Sequence, residues 1–242
     1  MSIKILVDTY VLRHYRGLPD EVPRTLTIDD AVGLVKDKEG VTEGSLRIAT
    51  IHTLSYYFVS ELLAKFMGLH GQVNLAIMAR SSPEVVELVE KGKADLGFVY
   101  DSAVASEALE SVPLFDDAMC LIVRQGDFDG VEALDLTKQK VPLIGFPEHY
   151  ALRRMLKHSN LNDNVVAEAN TIDAMLQLVS LGLGSCILPQ RIPGALLAEY
   201  HLVKVTLVAP LMKRRVVAIV RKNVGSSSLA GQLLDMAKNV VS

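Results

Sequence analysis

From residue 45 onward the chain alternates short β-branched runs with amphipathic segments, and this alternation limits the fold more than any other feature. SLRIATI predicts a strand, and LSYYFVSELLAKFMGLH predicts a helix with Leu54, Phe58, Leu62, Phe66 and Leu69 on one stripe. VNLAIMA predicts a second strand. SPEVVELVEKGK predicts a helix capped by Ser82, with Pro83 at its first position and Glu84 and Glu87 near its positive end. ADLGFVY completes a β-α-β-α-β unit, which implies a mostly parallel sheet with helices on its faces. SVPLFDDAMCLIVRQG is then one long extended stretch broken by Asp116 and Asp117, as expected of a crossover between lobes. The alternation restarts with VPLIGF and HYALRRMLKHS, continues through NVVAEA, TIDAMLQLVSLG and SCILP, and ends in the amphipathic SLAGQLLDMAKNVV. Two α/β units joined by crossovers imply a central cleft, with a ligand at the carboxyl ends of strands near helix N-termini.

Composition excludes several alternatives. Half of the 242 residues are hydrophobic but aromatics are only 5% and Trp is absent, so the core is aliphatic. A net charge of −3 argues against a surface that grips nucleic acid throughout. Two short basic clusters, Arg153, Arg154, Lys157 and His158, and Lys213, Arg214 and Arg215, read as solvated faces. Cys120 and Cys186 sit in apolar runs and read as small hydrophobes. No CxxC or Cys/His cluster suggests a metal, and no cofactor is expected. The N-terminus lacks a long apolar run and a small-residue cleavage site, and no stretch reaches the roughly 18 apolar residues that span a bilayer. A cytoplasmic protein with no membrane contact is the expectation.

Three loop-to-helix junctions stand out: Thr50, His52 and Thr53 after the first strand, Ser81 and Ser82 before the second helix, and Asn170 and Thr171 before TIDAMLQL. Each offers hydroxyls and free backbone N–H groups, which suit an anion. Simple helix capping explains each singly. His52 either assists an anion or is a surface residue. Pro147, His149 and Tyr150 follow the first strand of the second lobe and are expected to face the cleft, as is Tyr100 at the end of ADLGFVY. Gly182 and Gly184 lie between a helix and a strand, the wrong order for cradling a phosphate, and read as a helix C-cap. There is no HExxH, P-loop or GxSxG elbow, and Asp95, Asp101, Asp116 and Asp117 show no acid–base spacing. A non-catalytic binding domain needs the fewest assumptions, with an enzyme on the same fold as the alternative.

GSLRIATIHTLSYYFVSELLAKF, VVELVEKGKADLGFVYD, SVPLFDDAMCLIVRQGDF and TIDAMLQLVSLGLGSCILP, in this order and spacing, resemble the effector-binding domain of LysR-type transcriptional regulators. The resemblance implies two Rossmann-like lobes like those of type II periplasmic binding proteins. Lobe I would comprise 44–117 plus 224–242, and lobe II 118–223. It implies a small effector between them at Thr53, Ser82, the 147–150 loop and Thr171. The first loop is most similar to the sulfur-assimilation branch, whose site takes small anions. It also implies a homodimer or higher homo-oligomer. Residues 1–43 lack the family's helix-turn-helix pattern and carry six Lys and Arg against eight Asp and Glu. DNA is therefore expected to be reached only through a domain not visible in this chain. A stand-alone cytoplasmic solute-binding protein is the alternative reading.

Overall fold

The computed structural model describes residues 43–242 apart from 102–103, 223 and 241–242, so the expectations for the segment before residue 43 lie outside it. Strand β1 (Glu43–Ile51) pairs in parallel with β2 (Gln72–Arg80) and β3 (Leu96–Tyr100). Between β1 and β2 runs helix α1, in three contiguous parts: His52–Leu54, a π-helical turn Ser55–Val59, and Ser60–Leu69. The π-turn frees the Ser55 carbonyl from the α-pattern, and the Ser60 hydroxyl donates to it. Leu54, Phe58, Leu62 and Phe66 are buried as the spacing predicts, but Leu69 is 72% exposed, so the apolar stripe stops one turn early.

Helix α2 (Ser82–Glu90) connects β2 to β3. Its N-cap is Ser81 and not the predicted Ser82, because a capping box forms between Ser81 and Glu84 and leaves Ser82 as the first helical residue. β3 is buried along its whole length, as a central parallel strand should be. Gly97 within it is needed for close packing: a Cβ there would lie 2.7 Å from Ile219 and 2.9 Å from Val89.

β4 (Leu109–Arg124) is the long strand the sequence predicts, and it joins the lobes. Its first part, to Ala118, pairs with β10 (Lys213–Arg221) in the first sheet. From Met119 it pairs with β8 (Cys186–Pro189) and β9 (Leu202–Ala209) in the second. The full order is β2-β1-β3-β10-β4-β9-β5, with β5 (Ala133–Asp135) at the far edge. β10 is hydrogen-bonded between β3 and β4, so this second crossover strand pairs within the lobe I sheet, although it precedes residue 224.

The second lobe adds β6 (Leu143–Gly145) and β7 (Val165–Glu168), helices α3 (Ala151–His158), α4 (Ile172–Ser180) and α5 (Gly194–Glu199). Gly182, with φ of +81°, ends α4 in the left-handed conformation expected of a C-cap. The final helix α6 (Leu229–Val240) packs back on α1. One residue of the basic clusters departs from the expected solvated face. Arg153 is 7% exposed and donates to the Phe146 carbonyl, Asn162 and Glu168, tying α3 to β6 and β7.

Cys120 and Cys186 are free and buried, and burial pushes the Cys120 thiol up to about 12 and raises that of Cys186 as well. A neutral, inaccessible thiol is a poor nucleophile. The native protein is therefore expected to leave Ellman's reagent unreacted until denaturant is added, when both thiols titrate; rapid colour in native buffer would contradict this burial. No helix among the described residues is long and apolar enough to cross a membrane. Among the same residues no group of three or more His, Cys, Asp or Glu is placed to hold a metal ion.

Candidate functional site

The carboxyl ends of β1 and β3 and the start of α2 open toward the loop after β6. There Ile51, His52, Thr53, Ser82 and Tyr100 of the first lobe meet Phe146, Tyr150, Ala151 and Leu152 of the second around a cavity of about 20 Å³. That is room for about one water molecule. Aromatic rings form its cover. Tyr150 stacks on Phe146 at 5.1 Å and lies 6.0 Å from the His52 ring across the lobes. His149 packs on Tyr150 from the exposed side.

Beneath the cavity lies a buried polar cluster. Thr53, 3% exposed, has its hydroxyl oxygen 3.4 Å from that of Tyr100. The Tyr100 hydroxyl donates to Asp117 Oδ2 at 3.4 Å, and the Tyr57 hydroxyl donates to the same oxygen. Asp117 is fully buried and its Oδ1 has no hydrogen-bond partner. Burial raises its pKa, opposed by Tyr57, the charge of Arg191, and Tyr100. Burial likewise raises the phenols of Tyr57 and Tyr100, so both remain protonated donors. Arg191 also lies 4.6 Å over the Phe115 ring, which brings a second-lobe cation to this cluster.

The other hydroxyls singled out from the sequence are largely engaged. The Ser81 N–H and hydroxyl both donate to Glu84 Oε2, at 3.0 and 2.5 Å, and hold that carboxyl below its usual range. Thr50 is fully buried and donates to the Ile51 carbonyl. Thr171 accepts from the Ala174 N–H at 3.3 Å, the cap its sequence position predicts. Burial and then the Arg80 charge lower the His52 pKa from 6.5, so near neutral pH this imidazole carries no charge to offer an anion.

The cavity thus gathers His52, Thr53, Ser82, Tyr100 and Tyr150, while Thr50, Ser81, His149 and Thr171 are not among its lining residues. Pro147 lines a second, larger groove of about 570 Å³ on the second lobe, with Glu168, Asn170 and Gln177. Sequence reasoning missed Tyr56 and Tyr57. The signal was present, since Tyr57 lies four residues after Thr53 and shares its helix face. Asp116, weighed with Asp117 as a cleft carboxylate, is exposed and paired with Arg215 at 2.9 Å.

One bond ties the lobes directly. The Tyr56 hydroxyl of α1 donates to Asp173 Oδ2 in the first turn of α4 at 2.8 Å, and burial together with Asp173 pushes the phenol up to about 12. Tyr56→Phe is expected to lower stability by about 0.5–1.5 kcal/mol in urea denaturation. Asp173→Asn in the same background should add nearly nothing if the two side chains act as a pair.

The LysR substrate binding domain family matches residues 39–242. The chain is 29% identical over 156 residues to the HTH-type transcriptional regulator CysB of Burkholderia cenocepacia, covering 62% of this chain and 50% of that one. It therefore spans about half the length of this relative. Among solved structures, the cofactor-binding domain of the Cbl transcriptional regulator superposes with a TM-score of 0.71 at 22% identity, over 83% of this chain and 90% of that one. The effector binding domain of QuiR in complex with shikimate gives 0.68 at 20% identity, over 82% and 97%. With a family match over most of its length and the two-lobed fold of these domains, the chain belongs to the LysR substrate binding domain family.

Proposed function

We propose that this domain is the effector sensor of a LysR-type transcriptional regulator, acting on DNA through a part of the protein outside the described residues. It binds a small organic acid between its lobes and changes their relation on binding. The observation that carries this reading is the cavity at the carboxyl ends of β1 and β3, walled from both lobes and bridged beside it by Tyr56 and Asp173. A ligand seated there touches both lobes, so it interacts differently with open and closed forms, which is what a conformational switch requires. Two opposite charges bear on the cavity mouth: Arg80 outweighs Glu84 at His52, and Glu84 outweighs Arg80 at Tyr150. The shikimate complex of QuiR supports a small carboxylate as ligand, and since the cavity has room for only about one water, the lobes part to admit it.

His52, Thr53, Ser82, Tyr100 and Tyr150 form the contact set. Thr50, Ser81, Pro147, His149 and Thr171 shape or flank it. The domain works without chemistry on its ligand, in the cytoplasm, as a homodimer or higher homo-oligomer.

A thermal-shift screen of small organic acids tests the reading. A ligand at one hundred times its Kd stabilises the native state by about 2.7 kcal/mol, a shift of several degrees. The Thr53→Ala, Ser82→Ala double variant should lose the shift. An undiminished shift in that variant places the ligand elsewhere.

A further inference from the structure

Two buried polar atoms lack partners where the crossover strands change lobes: Asp117 Oδ1 and Arg214 Nε. The sheet places their residues together. Asp117 of β4 and Arg214 of β10 are directly opposed in the antiparallel ladder. Residues so opposed share a face, with Cβ atoms about 4.5–5.5 Å apart. The adjacent pair, Asp116 and Arg215, is opposed in the same way and forms an ion pair at 2.9 Å on the exposed face. Asp117 and Arg214 turn to the other face, with the buried Phe115 and Val216, and there Oδ1 and Nε remain unjoined. The hinge lies one residue further along. The Met119 N–H donates to the Met212 carbonyl, and the Gln190 N–H donates to the Ala118 carbonyl. The second of these bonds hangs Arg191, a second-lobe residue, beside β4. Its guanidinium lies 4.6 Å over Phe115 and its charge favours the ionised form of Asp117. One buried carboxyl thus stands between two arginines, one from each side of the hinge.

We propose that Asp117, Arg191 and Arg214 form a counter-ion switch at the hinge: with the lobes drawn together Arg191 faces Asp117, and when they part Arg191 withdraws and Arg214 turns in to pair with Asp117 Oδ1. Tyr57 and Tyr100 both belong to the first lobe and both donate to Oδ2, so the carboxyl keeps its place while the lobes move. Two guanidinium groups repel, so the approach of Arg191 disfavours that of Arg214. Withdrawal of Arg191 leaves a buried carboxylate without its second-lobe counter-charge, a state that is costly unless another cation pairs with it. Arg214 is already opposite, and its Nε is already out of water without a partner. Turning in therefore loses little hydration and gains a charge-assisted hydrogen bond. Each arrangement of the lobes then has its own ion contact, which makes the two discrete states. The switch goes beyond the proposed function and rests on the lobe movement invoked there, whatever the ligand.

The test uses the full chain and needs no ligand. Spin labels at Lys65→Cys on α1 and Lys157→Cys on α3, both exposed positions, report the distance between the lobes by pulsed electron resonance, while Cys120 and Cys186 are buried away from the reagent. Labelled chain is diluted into an excess of unlabelled chain, so that only distances within one chain are read. Arg191→Met should raise the ratio of parted to closed populations about tenfold, and Arg214→Met should lower it by as much, the scale of one hydrogen bond to a charged group. Asp117→Asn removes the charge that both arginines serve, so in that background neither substitution should move the ratio. Arg191→Lys and Arg214→Lys keep the charge but lose the planar fork, and should shift the ratio in the same directions by less; they stand in for a Met variant that circular dichroism shows to be unfolded. Shifts in one direction only, shifts that persist with Asp117→Asn, or two distances in an unmoved ratio overturn the switch alone. A single distance in every chain overturns the switch together with the lobe movement of the proposed function. Relaxation dispersion in the unsubstituted chain gives a second reading: the Arg214 Nε–H should exchange at the rate of the Ala118 and Met119 amides, in the microsecond-to-millisecond range of hinge motions. A flat profile at Arg214 beside exchange at those amides overturns it.

Discussion

Phe58→Ala is expected to cost about 3–5 kcal/mol, a large share of the roughly 5–15 kcal/mol that holds a domain folded. Phe58 is 6% exposed and sits in the π-helical turn of α1. Its ring meets Phe98 of β3 edge-on at 5.4 Å and Phe115 of β4 at 5.1 Å. With aromatics so scarce in this chain, three of its six phenylalanines meet at one point, where a helix, a central strand and the crossover strand converge. Truncation removes apolar area and both ring contacts, and leaves a hole that strands fixed by sheet hydrogen bonds cannot collapse to fill. Phe58→Leu keeps much of the volume and should cost well under half as much. Urea unfolding followed by circular dichroism measures both. A midpoint for the alanine variant within error of the native protein would show that this cluster is not a stability centre. Because Phe115 also lies under Arg191 of the second lobe, the alanine variant should loosen the lobe junction as well as the first-lobe core.

The overall architecture was readable because it rests on periodicity. Strands β1 to β4, helices α1, α2 and α4, and the lobe-joining role of the DD stretch follow from apolar spacing and turn residues, which are local properties. The family resemblance rested on the same segments. The cap of α2 shifted by one residue because Ser81 and Ser82 are chemically equivalent in sequence, and only the reach of Glu84 chooses between them. Of the hydroxyls that stand out at the three junctions, Thr53 and Ser82 line the cavity. What the sequence could not show was the buried polar cluster that Thr53 joins. That depends on Tyr100 and Asp117, 47 residues beyond Thr53 and 17 residues beyond Tyr100, meeting beneath the sheet ends. Arg153 is the same lesson on the other lobe. Its neighbours Arg154 and Lys157 made it look like one more surface charge, yet it is the one that the packing of α3 buries against Phe146 and Glu168.

Tyr57→Phe is expected to cost about 1.5–3 kcal/mol at neutral pH, the range for losing a hydrogen bond to a buried charged group, and to cost less as the pH falls. The reasoning starts from Asp117, which is fully buried with one oxygen unpartnered. Burial raises its folded pKa above the ordinary carboxylate value of 3.8, and Tyr57, Arg191 and Tyr100 hold the rise in check. A carboxyl whose folded pKa is raised favours the folded state most when protonated. Its contribution is therefore full below the unfolded pKa and is lost as the pH climbs through the folded one. Removing the Tyr57 hydroxyl strips the first-named restraint, lifts the folded pKa further, and widens the pH window over which stability declines. As the pH falls through the raised folded pKa and Asp117 takes up its proton, the cost should shrink toward the roughly 1 kcal/mol of a neutral hydrogen bond. Asp117→Asn removes the titrating group, so in that background the Tyr57→Phe cost should be small and flat with pH. Urea unfolding of the four proteins of this double-mutant cycle at about pH 4 and pH 7 measures the coupling directly. A Tyr57→Phe cost that is the same at both pH values, or unchanged in the Asp117→Asn background, would mean that Asp117 is not the charge this hydroxyl restrains.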